Sequence, residues 1–115
     1  NPDSRALLRI AETITHLETN YDKPINLDDL AKKSGMSKRS FLRTFRAATD
    51  HTPIAYLIQL RINRAINLLR SSNESITEIA FKVGFCDSNY FTRQFRKITG
   101  NSPRAYRRQT VNIAH

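Results

Sequence analysis

The residues best suited to do chemistry lie on two matching stripes. Arg39, Arg43 and Arg46 share one helical face, and Asn89, Arg93 and Arg96 repeat that spacing further along. At 100° per residue, each stripe lies opposite an apolar row: Phe41, Phe45 and Ala48 in the first case, Phe91, Phe95 and Ile98 in the second. These rows are expected to be core. An outward stripe of this composition suits the edges of base pairs. Arg pairs bidentately with guanine O6 and N7, and Asn with adenine N6 and N7. Residues early and midway in such a helix reach bases, while later ones meet the backbone. Base reading is therefore expected of Arg39, Arg43, Asn89 and Arg93, with Leu42 and Thr92 flanking them in reach of thymine methyl groups. Leu42 fits the rim of the core equally well. Lys38, Arg46, Ser88, Arg96 and Lys97 are expected at phosphates or groove edges, where contacts position without reading sequence. A single basic stripe would pass as a solvated helix face. Two at equivalent places in a repeat favour readout.

That repeat is explicit. Shifting the chain by 50 positions aligns Phe41, Arg43, Phe45, Arg46, Thr49, Pro53, Ala55 and Tyr56 with identical residues. Chance alone would match about one position over such a stretch. Upstream the shift is 49, aligning Ala31 with Ala80 and Gly35 with Gly84, so the second turn holds one extra residue. Each unit reads as a short helix, a Gly-containing turn and a longer helix, the helix-turn-helix arrangement.

The elements that must hold the stripes are helical throughout. A first helix is predicted from about Asp3 to Asn20, with Leu7, Ile10, Ala11, Ile14 and Leu17 inward. Asn26 caps a short helix that buries Leu27, Leu30 and Ala31 and stops at Gly35. Ser37 caps a helix from Lys38 to Ala48. Thr52-Pro53 starts a long one reaching about Arg70. In the second half, Ser75 and Glu78 form a capping box ahead of Ile76, Ile79, Ala80 and Val83, and Gly84 ends that helix. Asp87 caps a helix from Ser88 to Thr99 that stops at Gly100, and Ser102-Pro103 opens a last short helix through about Arg108. The fold class is all-α, with about seven helices. A first helix-turn-helix subdomain covers 1–52, a linker helix 53–71 and a second subdomain 72–115. The linker would span about 27 Å, against the roughly 34 Å between major-groove segments on one face of B-DNA. Because Arg39 and Asn89 differ, a monomer would read an asymmetric site.

Composition sets the partner class. The 115 residues carry 19 Lys+Arg against 10 Asp+Glu, a net charge of +9, which calls for an anionic partner. No acid occurs from Leu30 to Thr49, from His51 to Asn73 or from Ser88 to His115. The acids gather instead near helix starts, at Asp28, Asp29, Glu74, Glu78 and Asp87. No apolar run approaches a membrane span, so no membrane partner is expected. The lone Cys86 forms no internal disulfide and points to a reducing cytoplasm. His16, His51 and His115 lack metal-ligand spacing, and no phosphate-binding Gly loop or acid pair suggests catalysis. Neither cofactor, metal nor enzymatic activity is expected. The competing reading is a non-specific cationic module for nucleic acid or protein, which needs charge but no ordered stripe.

The segments Ile79-Ala80-Phe81-Lys82-Val83-Gly84-Phe85, Asp87-Ser88-Asn89-Tyr90-Phe91-Thr92-Arg93-Gln94-Phe95-Arg96-Lys97 and Gly100-Asn101-Ser102-Pro103-Arg104-Ala105-Tyr106-Arg107 closely resemble the signature of AraC/XylS-type regulators. The first unit and joining helix fit as well. The resemblance implies a seven-helix domain that binds double-stranded promoter DNA, usually activating transcription and contacting RNA polymerase. It places base contacts at Arg39, Leu42, Arg43, Asn89, Thr92 and Arg93. Many such regulators carry an N-terminal effector or dimerisation domain, and a start without Met fits a piece of a larger one. One departure stands out: Asp50 occupies a position where Gly is common, and it is expected to adopt the left-handed cap without altering the fold.

Overall fold

The computed structural model describes residues 4–114, and Asp3 and His115 lie outside it. Within that span the chain forms seven helices: α1 (Ser4–Asn20), α2 (Leu27–Lys33), α3 (Lys38–Thr49), α4 (Pro53–Ser71), α5 (Ile76–Lys82), α6 (Ser88–Thr99) and α7 (Pro103–Ala114). The architecture is all-α with paired helix-turn-helix units, as the sequence implied. The last helix runs past Arg108 to Ala114. Two compact units divide within α4, between Leu57 and Ile58.

Local chemistry explains each boundary. The Asn26 side chain accepts from the N–H groups of Asp28 and Asp29 at 2.8 and 3.2 Å, opening α2. Ser37 accepts from Ser40 N–H at 3.2 Å, and Asp87 from Asn89 N–H at 2.8 Å. At α5 the capping box closes both ways: Glu78 N–H donates to Ser75 Oγ at 3.0 Å, and Ser75 N–H donates to Glu78 Oε1 at 3.2 Å. Hydrogen bonds from Ser75, with a smaller contribution from the Lys82 charge, hold the Glu78 carboxyl below its ordinary value. The short helices end alike. Met36 N–H returns to Ala31 O and Phe85 N–H to Ala80 O, at 3.1 and 3.0 Å. Met36 and Phe85 are thus equivalents, and the extra residue of the second turn is Cys86.

Each unit has its own core. In the first, α3 packs on α1 and α2; Ile10, Leu17, Leu30, Ala31, Phe41, Phe45 and Leu57 are buried there. In the second, α6 packs on α5 and α7; Ile62, Ala65, Leu69, Ile79, Ala80, Val83, Phe85, Phe91 and Phe95 are buried. The ring arrangement repeats. Phe41–Phe45–Tyr56 have centroids 5.9 and 5.7 Å apart; Phe91–Phe95–Tyr106 have them at 5.7 and 5.6 Å. In both, the Tyr stands edge-on to the second Phe.

Four expected core positions are corrected. Ala48 and Ile98 are exposed, because the inward row advances by four residues from Phe45 and Phe95 to the half-buried Thr49 and Thr99. Their hydroxyls are satisfied locally. Thr49 Oγ1 donates to Phe45 O at 2.9 Å and accepts from His51 N–H at 3.1 Å; Thr99 does the same with Phe95 and Asn101 at 2.8 and 3.2 Å. These threonines therefore tie off α3 and α6. In α1, Leu7 and Ala11 face solvent. The buried line runs through Ile10, Thr13 and Leu17, and Thr13 is tolerated there because its hydroxyl donates to Arg9 O at 3.0 Å.

Asp50 adopts the left-handed conformation with φ 64°, matching Gly100 at 83°. Each N–H bonds back to the Arg four residues earlier, at 2.8 and 2.9 Å. The backbone there is the same; only the residue type differs. A left-handed residue with a Cβ costs about 1–2 kcal/mol, part of which Gly returns through its looser unfolded chain. Asp50→Gly is therefore expected to raise stability by up to about 1 kcal/mol in urea melts. A loss of stability would show that the Asp50 side chain contributes something its backbone does not.

Arg107 braces the second unit. Its guanidinium donates to Leu69 O, Ser72 O and Glu74 O at 3.3, 3.2 and 2.7 Å, gathering the carbonyls left open where α4 ends. The first unit has buried Leu57 at the equivalent position.

Candidate nucleic-acid interface

The exposed faces of α3 and α6 are defined by what the cores consume. From 41 to 50 and from 91 to 100, the succession of buried, half-buried and exposed residues is identical. Once Phe41 and Phe45 are turned inward, a rigid helix must turn Arg39, Arg43 and Arg46 outward, and all three are exposed. Asn89, Arg93 and Arg96 are exposed for the same reason. Leu42 and Thr92 are half-buried at the flank of each stripe. Among the residues expected at phosphates, Lys38 and Lys97 are exposed and Ser88 is half-buried at the first turn of α6. Each unit thus gathers its own share of the set on one helix.

Electrostatics leave these cations available. Arg39, Arg43, Arg46, Arg96 and Lys97 form no ion pair within 4.0 Å among the described residues. Lys38 meets Asp28 at 3.4 Å, with both side chains more than half exposed. Such a surface pair is worth at most about 1 kcal/mol, so a phosphate can displace it. On α3 the stripe surrounds an open concavity of about 630 Å³ lined by Lys38, Arg39, Leu42, Arg43, Arg46 and Thr52. Leu42 is the one apolar side chain among four cations there.

Two features beside the stripes were not anticipated from sequence. Thr52 joins the first concavity while its hydroxyl accepts from Ala55 N–H at 3.1 Å, capping α4. Its role as a cap was readable, but its placement against α3 depends on how the chain turns at Asp50. In the second unit, Arg93 lies over the Tyr90 ring at 5.9 Å. Tyr90 packs in turn on Phe85 at 5.9 Å, and Arg61 covers Phe85 at 5.6 Å. Among the described residues, no group of three His, Cys, Asp or Glu is placed to hold a metal, and no helix is long and apolar enough to cross a membrane.

Comparison with known proteins follows this geometry. The helix-turn-helix domain family matches residues 30–109. The HTH-type transcriptional activator RhaS of Escherichia fergusonii is 37% identical over 105 residues, covering 91% of this chain and 38% of RhaS. The MmsAB operon regulatory protein of Pseudomonas aeruginosa is 40% identical over 85 residues, covering 74% of this chain and 28% of that protein. This chain therefore spans well under half the length of either regulator. Among solved structures, the DNA-binding domain of AdpA in complex with a target DNA aligns with TM-score 0.83 and 33% identity, covering 87% of this chain and 90% of that one. An AraC-type DNA-binding domain protein from Chromobacterium violaceum aligns with TM-score 0.81 and 30% identity, covering 94% and 96%.

Proposed function

From the premise that this chain belongs to the AraC-type helix-turn-helix family, we propose that it binds double-stranded promoter DNA and recognises sequence with α3 and α6. The observation that carries the reading is the duplicated, exposed Arg-bearing stripe above two equivalent cores. The domain is a sequence-specific DNA-binding part of a transcription regulator. Arg39, Leu42, Arg43, Asn89, Thr92 and Arg93 meet bases, and Lys38, Arg46, Ser88, Arg96 and Lys97 meet the backbone. The two helices enter neighbouring major-groove segments, and the site is asymmetric because Arg39 and Asn89 select different bases. By likeness to the transcriptional activator RhaS, the regulator activates transcription. Contact with RNA polymerase, a bacterial cytoplasmic location and an effector or dimerisation domain beyond the segment described belong to the same proposal.

Selecting bound duplexes from a random pool tests this reading. A long asymmetric motif with two blocks about one helical turn apart is the expected result. Enrichment of no motif would leave a non-specific cationic binder. On the selected site, Arg93→Ala is expected to cost about 1–3 kcal/mol and to relax preference at one base step. Arg96→Ala is expected to weaken selected and scrambled duplexes alike. A preference profile untouched by Arg93→Ala would move Arg93 to the backbone set.

A further inference from the structure

The two reading helices differ in how their central Arg is held. In α6, the Arg93 guanidinium lies 5.9 Å from the centroid of Tyr90, one helical turn earlier. Tyr90 is 37% exposed, so one part of the ring is open to the guanidinium while another rests on Phe85, 5.9 Å away at an interplanar angle of 59°. Phe85 is itself buried: it is 4% exposed and stands edge-on to Phe91 at 5.2 Å. Arg61, from α4, lies over the same Phe85 ring at 5.6 Å. The guanidinium of Arg93 is therefore connected through two aromatic rings to the core of its unit.

The first unit has no such support. Ser40 stands where α6 has Tyr90, and Met36 stands where the second turn has Phe85. Among the described residues, no ring lies beneath Arg43. The extra residue, Cys86, lies between Phe85 and the Asp87 cap, so the enlarged turn and the aromatic shelf occur together in one unit only.

We infer that Tyr90 is a positioning residue for Arg93, restraining its guanidinium for base reading, so that the second unit discriminates bases more sharply than the first. This rests on Arg93 reading a base, as proposed above. An unrestrained Arg must be ordered on binding and gives up side-chain freedom, whereas a stacked one has already lost part of it. The stacked arrangement has the strength of an exposed cation–π contact, which corresponds to about two- to fivefold in affinity.

The test measures binding of the 115-residue chain to the selected duplex and to duplexes altered at the base pair that Arg93→Ala relaxes. Tyr90→Leu keeps an apolar side chain on Phe85 and a good helix former in α6, but removes the aromatic face. Tyr90→Phe keeps the face. Tyr90→Leu is expected to reduce discrimination at that base pair about two- to fivefold while leaving scrambled-duplex affinity and the circular-dichroism melt unchanged. Tyr90→Phe should retain the parental profile. In an Arg93→Ala background, Tyr90→Leu should have no further effect, since the cycle then has no guanidinium to position. Three results overturn the inference: unchanged discrimination in Tyr90→Leu, a full Tyr90→Leu loss persisting in the Arg93→Ala background, or a loss in Tyr90→Phe equal to that in Tyr90→Leu. If Arg93→Ala itself alters no base preference, the base-reading role fails and this inference with it. If Arg93→Ala does alter preference and Tyr90→Leu does not, the positioning role alone fails.

Discussion

Replacing Phe95 by Ala lowers the stability of the chain by about 3–5 kcal/mol, a large share of the roughly 5–15 kcal/mol that a folded domain possesses. Phe95 has no exposed surface, and its ring contacts Phe91 at 5.7 Å and Tyr106 at 5.6 Å, the latter edge-on at 84°. Truncation removes that apolar burial, leaves a cavity a rigid helix cannot collapse into, and forfeits both aromatic pairs. The structural repeat makes the prediction stricter. Phe45 has the same burial and the same neighbours, Phe41 at 5.9 Å and Tyr56 at 5.7 Å, at 87°. Phe45→Ala should therefore cost about as much. Far-ultraviolet circular dichroism in urea measures both, since the chain has no Trp. With a typical urea dependence, each midpoint falls by at least about 1 M. A cost below about 1 kcal/mol for either variant would mean that its unit repacks around the gap and that the two cores are not equivalent. Tyr106→Phe is the contrasting case. It keeps the ring and loses the exposed hydrogen bond that Arg70 donates to the Tyr106 hydroxyl at 2.7 Å, so its effect should be small.

Much of this organisation was legible because it is local. Asn26, Ser37, Ser75 and Asp87 each announce a helix start, since a side-chain oxygen two or three residues before an open N–H satisfies it wherever the rest of the chain lies. The stripes were legible for a related reason: Phe41 and Phe45 fix the inward direction of α3, and the outward direction follows by rotation. What depended on three-dimensional neighbours was hidden. Ala48 and Ile98 are apolar at plausible spacing, yet the row that packs continues to Thr49 and Thr99, whose hydroxyls close onto their own backbone. Arg107 stands in the sequence only as the last residue of the signature segment. Its bonds to carbonyls 33 to 38 residues earlier appear only once α7 is laid against the end of α4. The Tyr90 shelf was hidden for a different reason. Tyr90 belongs to the recognisable signature segment, but its contact with Phe85 depends on the path of the enlarged second turn.

The salt dependence of binding separates the two kinds of contact assigned to the stripes. The proposed backbone set contains four cations, Lys38, Arg46, Arg96 and Lys97. Each neutralised phosphate contributes about −0.9 to the slope of log affinity against log salt, so the selected duplex should show a slope of about −3.6. From 50 to 200 mM salt, affinity then falls by about 150-fold. On a scrambled duplex, Arg39, Arg43 and Arg93 lose their base partners and are free to meet phosphates instead. The scrambled slope should therefore be steeper, and the preference for the selected site should widen as salt rises. Arg96→Ala is expected to flatten both slopes by about 0.9. Arg93→Ala should leave the slope on the selected duplex in place while lowering affinity at every salt concentration. Parallel slopes for the two duplexes, with Arg93→Ala flattening both, would place Arg93 among the phosphate contacts. Sequence preference would then have to come from the remaining base-facing residues or from DNA shape.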